Sequence, residues 1–282
     1  MSILDAIFLG IIQGLSEFLP ISSTGHLTVA GKLLNLVSAE HPEQWTAFIA
    51  VIQLGTMVAV LIYFAKDILH IISDFFKDNL FQRKKFKEQS LNSRLGWYVI
   101  FGTIPVVIIG LAFKDIIEGA FTKNLYVISF SLIGLAIILG IAEKVASFKK
   151  DLDKITVKDS IVIGIAQAFA LIPGSSRSGT TITGGLFMGL KRETAARFSF
   201  LLSIPAVLAS GLLELYHSLS FINSSMAINL AVATIVSGIS GYFAIDFLLK
   251  FLKTHSTFLF IFYRIAAGLI ILILIYTNII QP

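Results

Sequence analysis

Pro173-Gly174-Ser175-Ser176-Arg177-Ser178-Gly179-Thr180-Thr181 lies between two apolar segments, Ile161–Ile172 and Ile182–Leu190. Five of these nine side chains carry hydroxyls, two residues are glycine and one is arginine. Glycine lets the backbone bend so that N–H groups can point inward. Serine and threonine add short donors, and arginine adds a planar, always-charged fork that matches phosphate oxygens. An arginine in an apolar region is costly and marks a functional site by default. A turn made only for close helix packing uses small residues and has no need of charge. Two short apolar pieces around such a bend predict a re-entrant hairpin. Irregular backbone survives at membrane depth only where protein buries it or a wet cavity solvates it.

The chain start shows the same pattern. Ile3–Leu19 is apolar but interrupted by Asp5, Gln13 and Glu17; Pro20 and Gly25 break the run, and His26–Val37 follows. Each piece is short of the roughly 20 residues that a spanning helix needs. Between and beyond the two hairpins lie six longer apolar runs: Trp45–Phe64, Gly96–Phe113, Leu125–Ala142, Phe198–Leu215, Ile228–Leu249 and Phe258–Tyr276. Composition agrees: 56% of the 282 residues are hydrophobic and 14% charged, against roughly 25% charged in a soluble domain. The absence of cysteine excludes disulfides and thiolate metal sites. The net charge of +5 does not point to nucleic acid, because the basic residues sit in short segments beside apolar spans. No basic leader with a cleavage site precedes the first run, so no cleaved signal peptide is expected.

Lys77–Lys87, Lys144–Lys158 and Lys191–Arg197 are basic and are expected on the cytoplasmic side. Lys114–Asn124 reads as a mixed-charge loop, and the uncharged Ser218–Ser225 as an outer one. With one span between the chain start and the first basic segment, both termini and the first hairpin fall outside, and the second hairpin enters from inside. The halves also echo each other. Gly10-Ile11-x-Gln13 aligns with Gly164-Ile165-x-Gln167, and, after a one-residue gap, Pro20-x-Ser22-Ser23 aligns with Pro173-x-Ser175-Ser176. Ile104-Pro105 further echoes Ile204-Pro205. In this register Glu17 faces Ala170 or Leu171, Arg177 faces Thr24, and His26 faces Gly179. The expected fold is therefore an all-α integral membrane protein of six transmembrane helices plus two re-entrant helix hairpins in an inverted repeat. It forms a single membrane domain over 1–282, with halves 1–146 and 159–282. Such folds place a site near the midplane, at the repeat interface.

The Pro173–Thr181 stretch resembles the Pro-Gly-x-Ser-Arg-Ser-x-x-Thr signature of the bacterial undecaprenyl-diphosphate phosphatase family, the bacitracin-resistance type of membrane phosphatase. Pro173, Gly174, Ser176, Arg177, Ser178 and Thr181 match it. Gln13 and Glu17, followed by Phe18-Leu19-Pro20-Ile21-Ser22-Ser23-Thr24-Gly25-His26, resemble the family's earlier Glu/Gln-rich motif. Together the motifs cover about a tenth of the chain. The resemblance implies hydrolysis of undecaprenyl diphosphate to the monophosphate and inorganic phosphate, in the bacterial inner (plasma) membrane. That reaction recycles the cell-wall lipid carrier. The alternative is a transporter or flippase of a polyprenyl phosphate built on the same inverted repeat. Expected partners are the polyprenyl diphosphate, membrane lipid and, as a candidate, a second copy of the chain in a homodimer; no nucleic acid is expected.

Within this frame Glu17, Ser23, His26 and Arg177 are the candidate catalytic residues. Ser22, Gly174, Ser175, Ser176, Ser178 and Thr181 are candidates for holding the diphosphate. Gln13 and Glu17, four apart, share one helix face. They are the candidate ligands of a divalent cation, Mg²⁺ or Ca²⁺, since hard cations prefer oxygen and Mg²⁺ is often shared with substrate phosphates. Gln13 stands where the family has Glu or Gln, which leaves one negative charge fewer than in Glu-bearing relatives. Glu17 is otherwise an acid/base group, or a structural partner of Arg177. His26 can move a proton; His41, His70, His217 and His255 read as interfacial. Ser23, Ser176 or an activated water could attack, with Ser23 favoured because His26 lies three residues on. A helix starting near Thr180 would add its positive end. The pocket is expected to open to the outer face.

Overall fold

Apolar runs and caps together set the elements of the computed structural model, which describes residues 1–37, 42–113, 124–219 and 224–282. The expected outer loop at Ser218–Ser225, the loop at Lys114–Asn124 and His41 fall wholly or partly outside those residues. The described chain is all helical: α1 Ile3–Phe18, α2 Ser23–Leu33, α3 Pro42–Tyr63, α4 Ala65–Phe76, α5 Leu91–Ala112, α6 Leu125–Val145, α7 Val157–Ala168, α8 Arg177–Phe187, α9 Arg192–Ser218, α10 Ser224–Thr254 and α11 Phe258–Tyr276. No strand forms among the described residues; one isolated bridge joins Lys150 and Leu190.

Six of these helices, α3, α5, α6, α9, α10 and α11, are long and apolar enough to cross a membrane. The protein is a multi-pass membrane protein. By contrast α1, with 16 residues, extends about 24 Å, and α2 and α8, with 11 each, about 16 Å at 1.5 Å per residue. A hydrocarbon core of about 30 Å is out of reach for each of them, as the re-entrant reading requires. Helices α5 and α9 run on through Pro105 and Pro205.

The internal repeat is written in the caps. Ser2 and Thr156 each close a capping box with an aspartate three residues on, Asp5 and Asp159. Ser22 and Ser176 are the N-caps of α2 and α8, both with positive φ (78° and 68°), and their Oγ atoms accept the N–H of Gly25 and Gly179. At the far ends Asn35 and Gly189 take positive φ. There Leu36 donates to Gly31 and Leu190 to Gly185, the crossed bonds of a Schellman ending. Every one of these pairs is 154 positions apart. This corrects the gapped alignment. In the observed register Arg177 corresponds to Ser23, Ser178 to Thr24, and His26 to Thr180. Two neighbouring serines at or just before the start of each helix permit both registers on paper; only the left-handed cap residue decides between them. The Pro105–Pro205 echo is also coincidental. The helix that follows the second hairpin is α9, and its counterpart after the first hairpin is α3, not α5.

The packing makes one bundle. Helix α10 lies against α1 and α3, α7 against α5 and α8, and α6 against α11. Phe18, at the end of α1, meets Phe200 of α9 edge-on at 5.2 Å between ring centres, and both belong to the principal core. Contacts at the two rims sort the helix ends. At one rim Lys32 donates to the Gln281 carbonyl and Asn229 to the Met1 carbonyl, so both termini meet the end of α2 and the start of α10. The other rim is laced by ion pairs. Arg192 pairs with buried Glu143, Arg197 with Asp67 at 2.7 Å, and Lys253 with Glu193 at 3.4 Å. Those pairs gather the basic segments on one side.

Candidate active site

The two hairpins meet at one carboxylate. Glu17, one residue before the end of α1, is only 5% exposed, and four donors surround it. Its Oε1 accepts from Arg177 Nη2 at 2.6 Å and from Gln53 Nε2 at 2.9 Å. Its Oε2 accepts from Ser23 Oγ at 2.8 Å and from Gln13 Nε2 at 3.1 Å. Ser23 and Arg177 are the first residues of α2 and α8, and they are repeat equivalents. Glu17 thus sits between two helix N-termini, each carrying first-turn N–H groups with no intrahelical partner and the positive end of a helix dipole. The start of α8 at Arg177 replaces the expected start near Thr180. The reason is the left-handed Ser176 cap, which brings the helix, and its positive end, three residues closer to the motif.

Both caps hold a conformation rarely adopted by a residue with a Cβ, at a cost on the order of 1–3 kcal/mol each. Gly174, with φ of 84°, could not be anything larger: a Cβ there would overlap the Ser131 hydroxyl and the Ile128 carbonyl. Ser131 Oγ donates to the Pro173 carbonyl and fastens the turn to α6.

The proposed phosphate holders divide. Among the described residues Ser175 Oγ, fully buried, has no partner, and neither have the buried Arg177 Nε and Nη1. The two Arg177 nitrogens are unused donors on the side chain that holds the shared carboxylate. Ser22 and Ser176 spend their hydroxyls on their own caps. Ser178 donates to the Leu19 carbonyl at 3.1 Å, which ties hairpin to hairpin. Thr181 donates to the Arg177 carbonyl and lies 2.5 Å from Ser199 Oγ, an anchorage of α8 to α9.

His26 is placed differently from the expectation. Its Nδ1–H donates to the Ser22 carbonyl at 2.7 Å, since a carbonyl can only accept. In the neutral ring its Nε2 therefore accepts the Tyr263 hydroxyl at 2.6 Å. The group bonded to Ser23 is Glu17, not His26. Gln13 turns its amide nitrogen to Glu17, and its Oε1 stays buried without a partner among the described residues. Among the described residues no three His, Cys, Asp or Glu side chains cluster.

Three residues of this assembly were not anticipated: Gln53, Tyr263 and Arg264. Arg264 in α11 is fully buried, and its Nη2 donates to the Ser175 carbonyl at 2.9 Å. A lone arginine inside the apolar run Phe258–Tyr276 is the same signal that singled out Arg177. Gln53, a neutral amide in α3, gives no comparable signal.

A carboxylate, a serine hydroxyl, a guanidinium and two helix N-termini at one point can bind a phosphoryl group and take a proton from an attacking oxygen. Known proteins resemble the chain over nearly all of its length. The chain is 61% identical over 268 residues to an undecaprenyl-diphosphatase of Syntrophobacter fumaroxidans, covering 95% of each chain. It is 51% identical to one of Myxococcus xanthus, over all of this chain and 92% of the relative. It is 52% identical to one of Chloroherpeton thalassium, over 96% of each. The profile of the family described as bacitracin resistance protein BacA matches residues 6–270, from the first turn of α1 into α11. Both hairpins, and the carboxylate that joins them, lie within that match: the chain belongs to the bacitracin resistance protein BacA family.

Proposed function

We propose that this protein hydrolyses undecaprenyl diphosphate to undecaprenyl phosphate and inorganic phosphate, recycling the cell-wall lipid carrier. The observation that carries the reading is the Ser23–Glu17–Arg177 contact across the two hairpins. Glu17 Oε2, 2.8 Å from Ser23 Oγ, takes the serine proton as Oγ attacks the terminal phosphorus. The bond from that phosphorus to the bridging oxygen breaks, and undecaprenyl phosphate leaves with the electron pair. Water then cleaves the phosphoserine and releases orthophosphate. Arg177 Nε and Nη1, the Ser175 hydroxyl and the N-termini of α2 and α8 hold the charge that gathers on the transferring oxygens.

The unpartnered Gln13 Oε1 beside Glu17 fits a hard cation. Gln13 and Glu17 would hold Mg²⁺ or Ca²⁺ together with the diphosphate, supplying positive charge to the phosphate oxygens. The repeat halves 1–146 and 159–282 are read as inverted, because three spans separate the two hairpins.

The test is orthophosphate release by the purified protein in detergent. EDTA should stop it, and Mg²⁺ or Ca²⁺ should restore it. Hydrolysis indifferent to EDTA would remove the cation from the reading. Intact diphosphate with lipid movement in vesicles would favour the flippase.

We place the protein in the bacterial plasma membrane with the pocket open to the outer face. The basic rim is the cytoplasmic one by the positive-inside rule, and the end of α2 lies with both termini at the opposite rim. The chain has no cysteine, so single cysteines report sidedness. Cysteine at Thr24 or Gln281 should react with a membrane-impermeant thiol reagent in whole cells, and cysteine at Lys85 or Lys150 should not. Labelling at Lys85 or Lys150 from outside would invert the topology.

A further inference from the structure

Among the described residues Arg264 is the largest fully buried side chain, at 0% exposure. Its neighbours are unusual for a buried charge. Among the described residues its guanidinium bonds only to main-chain carbonyls: Nε to Leu132 at 3.2 Å, and Nη2 to Ser175 at 2.9 Å, Gly174 at 3.4 Å and Ser131 at 3.5 Å. Nη1 is buried and has no partner among the described residues. A Cβ added to Gly179, in the first turn of α8, would lie 2.6 Å from that Nη1, so the unused donor rests under the helix N-terminus that faces the site.

A guanidinium buried without a carboxylate is costly, because the cost of desolvation is repaid only by an opposite charge or a full set of acceptors. Here the acceptors are incomplete and the opposite charge is missing. Among the described residues the site holds a fully buried guanidinium, Arg264, a half-buried one, Arg177, and a single carboxylate, Glu17. It carries surplus positive charge on the side where the turn Pro173–Ser176 passes. Two of the four carbonyls that Arg264 grips, Gly174 and Ser175, belong to that turn; the other two, Ser131 and Leu132, lie in α6.

The residue next to it completes the pattern. Tyr263 reaches the first hairpin through His26, hydroxyl to Nε2 at 2.6 Å, with the rings stacked at 5.5 Å. Adjacent residues of α11 therefore fasten one hairpin each.

We propose that Arg264 is a positioning residue with an electrostatic share in anion binding. It draws the Gly174 and Ser175 carbonyls away from the pocket and fixes the turn, so that the unpartnered Ser175 hydroxyl and the N-terminus of α8 are presented to the diphosphate. Its own charge, which no side chain neutralises, is balanced when the diphosphate arrives. This rests on the hydrolase reading for the substrate, but the charge argument holds for any pyrophosphate-like anion.

The test compares Arg264→Lys and Arg264→Gln in the full-length detergent-purified protein, using kcat with undecaprenyl diphosphate and the inhibition constant of inorganic pyrophosphate. Lysine keeps the charge but loses the fork; glutamine keeps a donor but loses the charge. Lowered kcat is expected in both, on the order of 10- to 100-fold, the usual effect of losing a supporting partner. Pyrophosphate inhibition should stay near wild type in the lysine variant and weaken about tenfold or more in the glutamine variant. A purely structural role would not separate the two inhibition constants. Wild-type inhibition in Arg264→Gln, or wild-type kcat in both variants, overturns the proposal. If either variant fails to fold, Gly179→Ala decides. It leaves Arg264 in place and drives a methyl group at Nη1; a folded Gly179→Ala protein with wild-type kcat also overturns it. Should the wild type not hydrolyse the lipid at all, pyrophosphate binding by calorimetry still separates the variants, and the failure then belongs to the substrate reading alone.

Discussion

Arg177→Ala should reduce orthophosphate release by about 10³-fold or more, and Arg177→Lys should restore little of it. The guanidinium does two things at once. Nη2 holds Glu17 at 2.6 Å, while Nε and Nη1 are unspent and buried, free to meet two phosphate oxygens. Losing a preorganised donor to a developing charge costs about 10²–10³ in rate, and here two such donors go together, along with the one that holds Glu17. Lysine offers a single point charge and cannot serve the carboxylate and the phosphate from one plane. The substitution also strips a buried carboxylate of its partner. Breaking such a pair costs about 3–5 kcal/mol, so the rate must be measured on protein that elutes and melts like wild type. A folded Arg177→Ala protein that keeps more than about a tenth of the wild-type rate would take this residue out of the mechanism.

Ser23→Ala and Ser176→Ala should differ sharply, although both serines flank a helix start in the same motif type. Ser23 Oγ donates to Glu17 Oε2, the arrangement of a nucleophile on its base. Removing it should lower the rate by about 10³-fold or more, because the attacking atom itself is gone. Ser176 Oγ instead accepts the Gly179 N–H. Losing that cap costs about 1 kcal/mol of stability and should lower the rate only several-fold. Initial rates on matched preparations decide it. Equal, mild losses in the two variants would mean that water attacks directly.

The spans were legible because hydropathy is additive. Each of the six long helices holds a long run of mostly apolar residues, and no tertiary information is needed to find it. The hairpins were legible for the opposite reason: Gln13, Glu17 and Arg177 are costly where they stand, and proline and glycine break the runs beside them. What failed to show was register and reach. Ser22-Ser23 and Ser175-Ser176 align in two ways, and the backbone conformation of one serine in each pair decides which is right. The partner of His26 is 237 positions away, beyond any local pattern. Arg264 was hidden by its own context, since one charge hardly changes the mean over α11. Gln53 carries no charge at all, and only the fold brings it to Glu17.

The most direct test of the account is the product balance of a single reaction: purified wild-type protein in detergent, with undecaprenyl diphosphate and a divalent cation. One orthophosphate should appear for each undecaprenyl phosphate formed, with a saturable rate. Substrate left intact by folded protein, or release of pyrophosphate with undecaprenol, would contradict it.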